Sequence, residues 1–138
     1  MIGEHVDAFE ASVNRCLESP TFIRDFYDRF TGSSDAIREK FRNTDFERQN
    51  RALAGSLHVM AVAVRGGPGN IARLELERLA RRHKEMDISA SMYDVWLDCV
   101  LQSARTHDPR FSPAVERAWR ETLGPGIEYM RTGAPFEA

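Results

Sequence analysis

The stretch "ELERLARRHKEMDIS" (residues 75–89) predicts a helix with one apolar side and one charged side. Residues spaced at i, i+3, i+4 and i+7 share one side of an α-helix. A histidine on the apolar side either has its ring nitrogens satisfied within the core or serves as a ligand for something that the core holds. The residues on that side are Leu76, Leu79, Ala80 and His83.

Helix-start signals recur along the chain after a first predicted helix over residues 5–18. Each signal is a residue whose side chain can accept a hydrogen bond from a free backbone N–H. In two cases a proline follows at the first helical position, where it is well tolerated. The signals are Ser19-Pro20, Ser112-Pro113, a capping box formed by Thr44 and Glu47, Asn70, and either Ser89 or Ser91.

Glycine and proline mark the predicted helix ends. The second helix should stop at Thr31-Gly32, the fourth at the glycine-rich residues 66–69, and the sixth before Pro109. The triplet at residues 124–126, Gly-Pro-Gly, should kink or interrupt the last helix. With a short helix over residues 35–41, the pattern predicts an all-α fold of six main helices plus one short helix. One domain is expected to span residues 1–138.

The composition is typical of a soluble globular protein, with 42% hydrophobic residues and a formal net charge of −2. There is no basic patch for nucleic acid, no signal peptide, and no apolar run long enough to cross a membrane. These features favour a cytoplasmic protein with neither nucleic acid nor membrane as a partner. Cys16 and Cys99 lie on apolar helix faces and are expected in the core rather than in a disulfide.

Several kinds of catalytic site are absent from the sequence. The glycines at residues 66–69 follow a helix and lack the Lys-Ser/Thr of a phosphate-binding loop. There is no HExxH metal motif, and the carboxylates are spread over charged helix faces. What remains is a set of single polar residues on apolar faces, namely Tyr27, Gln49, His83 and Tyr93.

Four segments occur in a distinctive order: "FYDRFTGSSDAIREKF" (26–41), "TDFERQNRAL" (44–53), "LARRH" (79–83) and "MYDVWLD" (92–98). Together they resemble the bacterial haemoglobins, the single-domain globins similar to the haem domain of flavohaemoglobins. The resemblance extends over about residues 6–130. It implies a globin fold with a pocket for haem b (iron protoporphyrin IX).

The resemblance also implies roles for individual residues. His83 matches the proximal histidine that binds the haem iron, and Phe41 matches a phenylalanine that packs flat on the porphyrin. Tyr27 and Gln49 match the distal pair that contacts the gas, which makes them the candidate catalytic residues. Arg82 is the candidate partner of a haem propionate. Further haem contacts are implied for Leu53, Leu79, Ile88, Met92, Tyr93 and Trp96.

The chemistry of these side chains agrees with the implied roles. Neutral imidazole is a good iron ligand when its second ring N–H has an acceptor, and the carbonyl of Leu79, four residues earlier, is the expected acceptor. The Tyr27 hydroxyl and the Gln49 amide can donate to oxygen that carries partial negative charge. Gln49 alternatively swings outward with the charged residues 47–51 around it.

One feature departs from the family pattern. In the flavohaemoglobin-like globins a glutamate late in the last helix joins the proximal histidine and tyrosine in a hydrogen-bonded network. Here the corresponding place falls near residues 133–135 and holds no carboxylate. The network is therefore either missing or built from Glu128.

The resemblance implies reversible binding of oxygen and other diatomic gases (NO, CO) at a pentacoordinate iron. Conversion of nitric oxide to nitrate, a dioxygenase activity, would need an external reductase because the chain has no flavin or nicotinamide domain. One alternative is a haem-based gas or redox sensor that acts through a partner protein. The other is a helical interaction module without haem, against which the combination of His83, Tyr27 and Phe41 argues.

Overall fold

Helices account for all regular secondary structure in a computed structural model that describes residues 2–66 and 70–133. This confirms the predicted all-α class, with six main helices and one short helix in the predicted order. The helices are α1 (Ile2–Glu18), α2 (Phe22–Thr31), α3 (Asp35–Lys40), α4 (Phe46–Arg65), α5 (Ile71–Glu85), α6 (Ala90–His107) and α7 (Pro113–Thr132). The predicted turn at residues 67–69 lies outside the described residues.

Three helix starts lie where the sequence predicts them. The side chain of Ser112 accepts from the backbone N–H of Val115 at 3.2 Å, with Pro113 as the first residue of α7. Asn70 caps α5 by accepting from the N–H of Ala72 at 3.0 Å. Ser89 occupies the N-cap position of α6, although its side chain makes no capping hydrogen bond.

The predicted start of α2 at Ser19-Pro20 is wrong. Helix α2 begins at Phe22, with Thr21 as its N-cap residue and no side-chain capping bond. The Ser19 hydroxyl lies 2.7 Å from Nδ1 of His107 at the end of α6, so a tertiary contact takes the side chain that would have capped the helix. His107 in turn contacts the Asp25 carboxylate at 3.1 Å, which joins α1, α2 and α6.

The capping box at the start of α4 is displaced by one residue. Asp45, rather than Thr44, is the N-cap residue, and its carboxylate accepts from the N–H of Arg48 at 3.3 Å. A carboxylate is the stronger acceptor for the free N–H groups at a helix N-terminus, and its negative charge suits the helix dipole there.

Helix α7 continues through Pro125, so of the two predicted outcomes, a kink or an interruption, the interruption does not occur. Core packing on both sides of the proline holds the helix together, since Leu123 and Ile127 are buried. Gly126 is also buried, and a Cβ atom there would lie 2.8 Å from the methyl carbon of Met60. This close approach of α7 to α4 overrides the local preference of the triplet.

The core lies where α1, α4, α6 and α7 pack together, and α2 packs chiefly on α6. Both cysteines are free and buried in it, as predicted. Leu17 of α1 and Phe46 of α4 are apolar residues outside this core, with side chains that are 41% and 39% exposed. The largest fully buried side chains are Trp119, Phe9, Phe22, Phe26, Leu57, Leu76 and Leu123.

One buried carboxylate ties three of the helices together. Asp108, directly after α6, accepts from the hydroxyl of Ser12 at 2.6 Å and from Nε of Arg15 at 2.6 Å, both on α1. The indole N–H of Trp119 on α7 donates to the same Ser12 hydroxyl at 2.8 Å. Burial alone would raise the pKa of Asp108, but the bonds from Arg15 and Ser12 hold it below its usual value.

Candidate functional site

A cavity of about 640 Å³ lies among helices α2 to α7. This volume is within the usual range for sites that hold a small molecule or cofactor. All eleven residues that the family resemblance singles out line it. They are Tyr27, Phe41, Gln49, Leu53, Leu79, Arg82, His83, Ile88, Met92, Tyr93 and Trp96.

His83 contributes an imidazole from the last turns of α5. Its Nδ1 atom lies 3.0 Å from the hydroxyl of Tyr93 on α6. The predicted acceptor, the carbonyl of Leu79, is therefore wrong. The Tyr93 hydroxyl approaches the ring from the neighbouring helix and takes the place of that carbonyl.

The surroundings of His83 favour its neutral form. Burial lowers the pKa of the imidazole, and the nearby positive charge of Arg82 lowers it further. The other ring nitrogen, Nε2, makes no hydrogen bond to any residue in the described part of the chain. If Nδ1 carries the proton and donates it to Tyr93, Nε2 keeps a free lone pair, which is the form that binds metals.

Tyr27 and Gln49 form a second polar pair in the wall of the cavity. The side-chain amide of Gln49 donates to the Tyr27 hydroxyl at 3.0 Å. Gln49 therefore points toward Tyr27 rather than outward with its charged neighbours. The hydroxyl itself is 3.5 Å from the backbone carbonyl of Gln49, a distance too long for a strong O–H···O bond.

The Tyr27 hydroxyl remains protonated over the physiological range of pH. Burial raises its pKa to about 12, although the hydrogen bond from Gln49 opposes part of that shift. An accepted bond from the amide polarises the O–H group, which makes it a better donor. The pair therefore offers the cavity an O–H donor with no strong acceptor of its own.

Aromatic rings close this side of the cavity. The Phe41 ring packs edge to face against Tyr27 and Phe30, with ring centroids 5.7 Å apart in both cases. The Trp96 ring packs edge to face against Phe26 at 5.9 Å. Leu53, on α4, is 4% exposed and adds an aliphatic surface. A planar apolar group would find predominantly apolar walls here.

Glu128 does not replace the glutamate of the family network. Its carboxylate lies 3.7 Å from Nε of Arg131, and its side chain is 54% exposed. Arg131 also contacts Asp94 on α6 at 3.2 Å. Of the alternatives left open by the sequence, a network built from Glu128 is thus excluded in this conformation. Residues 134 and 135 lie outside the described part of the chain.

Sequence reasoning missed several polar residues that line the cavity, and Lys40 is the one with a contact between two helices. The ammonium group of Lys40 donates to the backbone carbonyl of Met86 at 2.6 Å, which joins the end of α3 to the end of α5. Its position next to Phe41 was the available signal. Other lining residues that the sequence analysis did not identify include Phe30, Ile37, Arg48, Met60, Ile127 and Met130.

The donor set fits a haem. A porphyrin needs a wide apolar cavity, one axial nitrogen ligand and cations near its carboxylates. The cavity supplies aromatic and aliphatic walls, the unpartnered Nε2 of His83, and the side chains of Arg82, Arg48 and Lys40 at its lining. Among residues 2–66 and 70–133, no cluster of three or more His, Cys, Asp or Glu could hold a metal by itself.

Comparison with known proteins agrees with this geometry. A protein-family model described as Globin matches residues 12–127. No curated protein matches the sequence. The chain is similar to a protein of Pseudomonas aeruginosa PAO1, whose crystal structure is described as structurally highly homologous to a human haemoglobin. The two are 32% identical, with a TM-score of 0.85 over 93% of this chain and 96% of that chain.

None of the helices in the described residues is long and apolar enough to cross a membrane. The family match covers most of the sequence, and the structural match extends over nearly all of both chains. The resemblance seen in the sequence is confirmed: the chain belongs to the globin family, and membership of that family implies that it binds haem.

Proposed function

We propose that this globin binds diatomic gases, oxygen first among them, at a haem b iron held by His83. The observation that carries the proposal is the pairing of two features in one cavity. One is an imidazole nitrogen without a partner, and the other is a tyrosine hydroxyl with no strong acceptor. Haem, when bound, supplies the iron that coordinates the gas.

His83 is the residue that would hold the haem iron. Its lowered pKa keeps the ring neutral at physiological pH, so little free energy is spent on removing a proton before a metal binds. Tyr93 fixes the ring orientation and selects the tautomer with the proton on Nδ1. Arg82 is the proposed partner of a propionate, since it lines the cavity and forms no ion pair with a described residue.

Tyr27 and Gln49 are proposed to stabilise the gas by hydrogen bonding. Haem, when bound, would supply a site at which oxygen carries partial negative charge, and a hydrogen bond donated to it would be charge-assisted. Such a bond contributes about 1–3 kcal/mol, which corresponds to a dissociation rate roughly tenfold or more slower. The Tyr27 hydroxyl is suited to this because Gln49 already donates to its oxygen and leaves its proton available.

The apolar walls are proposed to exclude water. Phe41, Leu53 and Trp96 line the cavity around the polar pair and offer water no hydrogen-bonding group apart from the Trp96 N–H. A dry site strengthens each remaining electrostatic interaction. It also slows the loss of an electron to solvent, which preserves the ferrous state.

We further propose that the protein converts nitric oxide to nitrate. The overall reaction joins one NO and one O₂, and one electron is taken up to give nitrate. An external reductase would supply that electron. Tyr27 and Gln49 would orient the oxygen for attack on nitric oxide, which makes them the proposed catalytic residues.

Two experiments test these proposals separately. Spectra of haem-reconstituted protein in the ferric, ferrous and CO-bound states should show a Soret band with five-coordinate histidine ligation in the ferrous form. Protein that takes up no haem would contradict the gas-binding proposal. Rapid mixing of the oxygenated protein with nitric oxide should give ferric haem and one equivalent of nitrate; slow or absent oxidation would contradict only the dioxygenase proposal.

A further inference from the structure

A groove of about 270 Å³ lies between α4 and α5 and is open to solvent. The side of the groove formed by α4 projects little, because three of its residues have small side chains: Ala52, Gly55 and Ser56. Apolar side chains extend the groove at the far end of the helix pair, where Ile71 is 72% exposed and Leu74 is 57% exposed. They are the two most exposed large hydrophobic side chains in the described part of the chain.

We call this surface the α4/α5 face. It joins the residues that line the groove to the exposed apolar side chains beside it. Its members are Ala52, Gly55, Ser56, Val59 and Val62 of α4, with Ile71, Leu74, Glu75, Arg78 and Arg82 of α5 and Met86 directly after it.

Along one side of α5, two apolar residues flank a group of charged residues. Positions 71, 75, 78, 82 and 86 follow the helical repeat and form one stripe over about 22 Å of helix. The stripe is apolar at both ends, where Ile71 and Met86 are 72% and 45% exposed. Between them, Glu75 lies toward the start of the helix, and Arg78 and Arg82 lie toward its end.

We propose that the α4/α5 face binds a second copy of this chain, with the two α5 helices antiparallel across a two-fold axis. With the axis near residues 78 and 79, Glu75 lies opposite Arg82 of the second copy, and Ile71 lies opposite Met86 of the second copy. A parallel arrangement would instead place arginine opposite arginine and glutamate opposite glutamate. The stripe is therefore self-complementary only in the antiparallel arrangement.

The charges within one chain fit this arrangement. Arg78, which would lie nearest the axis, donates to its own Glu75 at 2.9 Å, so its charge is partly offset. Arg82 makes no salt bridge to any residue among 2–66 and 70–133, so in the haem-free chain its guanidinium is available to the second copy; in the haem-bound chain the proposed propionate contact competes for it. The small side chains of α4 leave room in the groove for a larger one, such as Leu74 of the second copy.

The face also adjoins the haem cavity. Four residues line both the groove and the larger cavity, namely Ala52, Ser56, Leu79 and Arg82. A second copy bound to the face would thus cover one side of the cavity wall. The proposal concerns assembly, and it shares Arg82 with the proposed propionate contact, so the Glu75→Arg variant, which leaves Arg82 in place, tests it separately from haem binding.

Sedimentation velocity over a wide range of concentration tests the proposal on the full chain, with and without haem. The expected result is a shift toward twice the 15.7 kDa mass of the chain as concentration rises. Glu75→Arg and Arg82→Glu should each weaken the dimer by about tenfold or more, because each places like charges opposite one another. Leu17→Lys, at an exposed leucine on α1, is the matched control and should leave the dimer unchanged.

Mixing the two charge variants gives the sharpest result. The Glu75→Arg chain is positive at both positions of the stripe, and the Arg82→Glu chain is negative at both. Each variant repels its own copy and is complementary to the other, so the mixture should form a heterodimer although each variant alone is a monomer. A wild-type protein that stays monomeric at millimolar concentration would overturn the proposal. So would a dimer that neither charge variant weakens, or a mixture of variants that fails to associate.

Discussion

The imidazole Nδ1 of His83 lies 3.0 Å from the hydroxyl oxygen of Tyr93, so one hydrogen bond joins α5 to α6 at the wall of the cavity. Burial raises the pKa of Tyr93, so the phenol stays protonated and neutral. The bond decides which ring nitrogen carries the proton. Iron ligation through Nε2 requires the tautomer in which Tyr93 accepts.

Replacing Tyr93 with phenylalanine tests this relationship. The ring keeps its volume, but the Nδ1–H of His83 loses its acceptor, and the imidazole becomes a weaker ligand. We expect haem affinity to fall about tenfold, which is at the lower end of the effect of losing such a partner. Haem transfer to an excess of a second apo-globin measures the rate of loss. An unchanged rate would show that the Tyr93 hydroxyl has no part in ligation.

Replacing His83 with alanine should remove the protein ligand to iron. The expected result is loss of the five-coordinate histidine spectrum, with recovery when free imidazole is added at millimolar concentration. His58→Ala is the matched control because His58 is exposed on α4 and does not line the cavity. Normal axial ligation in His83→Ala would overturn the assignment.

Replacing Tyr27 with phenylalanine should raise the oxygen dissociation rate by about tenfold or more, since a hydrogen bond of about 1–3 kcal/mol is lost. The aromatic contacts of the ring with Phe41 and Phe46 are retained in this variant. Stopped-flow displacement of oxygen by CO gives the rate. The same change at Tyr129 on α7, outside the cavity, should have no effect. A rate equal to that of the wild type would mean that Tyr27 is structural.

Replacing Asp108 with asparagine should lower the free energy of unfolding by about 2–3 kcal/mol, because one partner of a buried charge pair is lost. The Asp108 side chain is fully buried and binds Arg15, Ser12 and the N–H of Arg110. Urea denaturation measures the change. Asp98→Asn, at an exposed position on α6, should stay within about 0.5 kcal/mol of the wild type.

The same carboxylate predicts a dependence of stability on pH. Its pKa is lower in the folded chain than in the unfolded chain, where it is about 3.9. The stability that it contributes is therefore complete above the unfolded pKa and is lost as the pH falls through the folded pKa. The difference in unfolding free energy between wild type and Asp108→Asn should narrow below about pH 4. A difference that stays constant in strong acid would contradict this account.

Local sequence signals predicted a helix start correctly where the capping side chain bonds to its own helix. Ser112 and Asn70 cap their helices because the N–H groups they accept from lie within three residues. Ser19-Pro20 presents the same local pattern and fails, because the Ser19 hydroxyl contacts His107, 88 residues away. Pro125 is a second case in which a local signal failed, because α7 continues through it where Gly126 packs closely against Met60.

At the candidate site, the identity of the residues could be predicted from the sequence, but their contacts with one another could not. The family pattern indicated eleven of the residues that line the cavity, because their order and spacing are visible in the sequence. Which groups bond to one another depends on how separate helices meet. The contact of His83 with Tyr93, and that of Asp108 with Ser12 and Arg15, therefore required the structure.

The bond from Lys40 to the Met86 carbonyl joins two elements of the fold that line the cavity. It spans the rim between α3 and α5, and both residues line the cavity below it. An exposed ammonium group therefore holds the end of α3 to the end of α5 across the lining of the cavity. Any widening of the cavity between these two helices requires that this bond be broken.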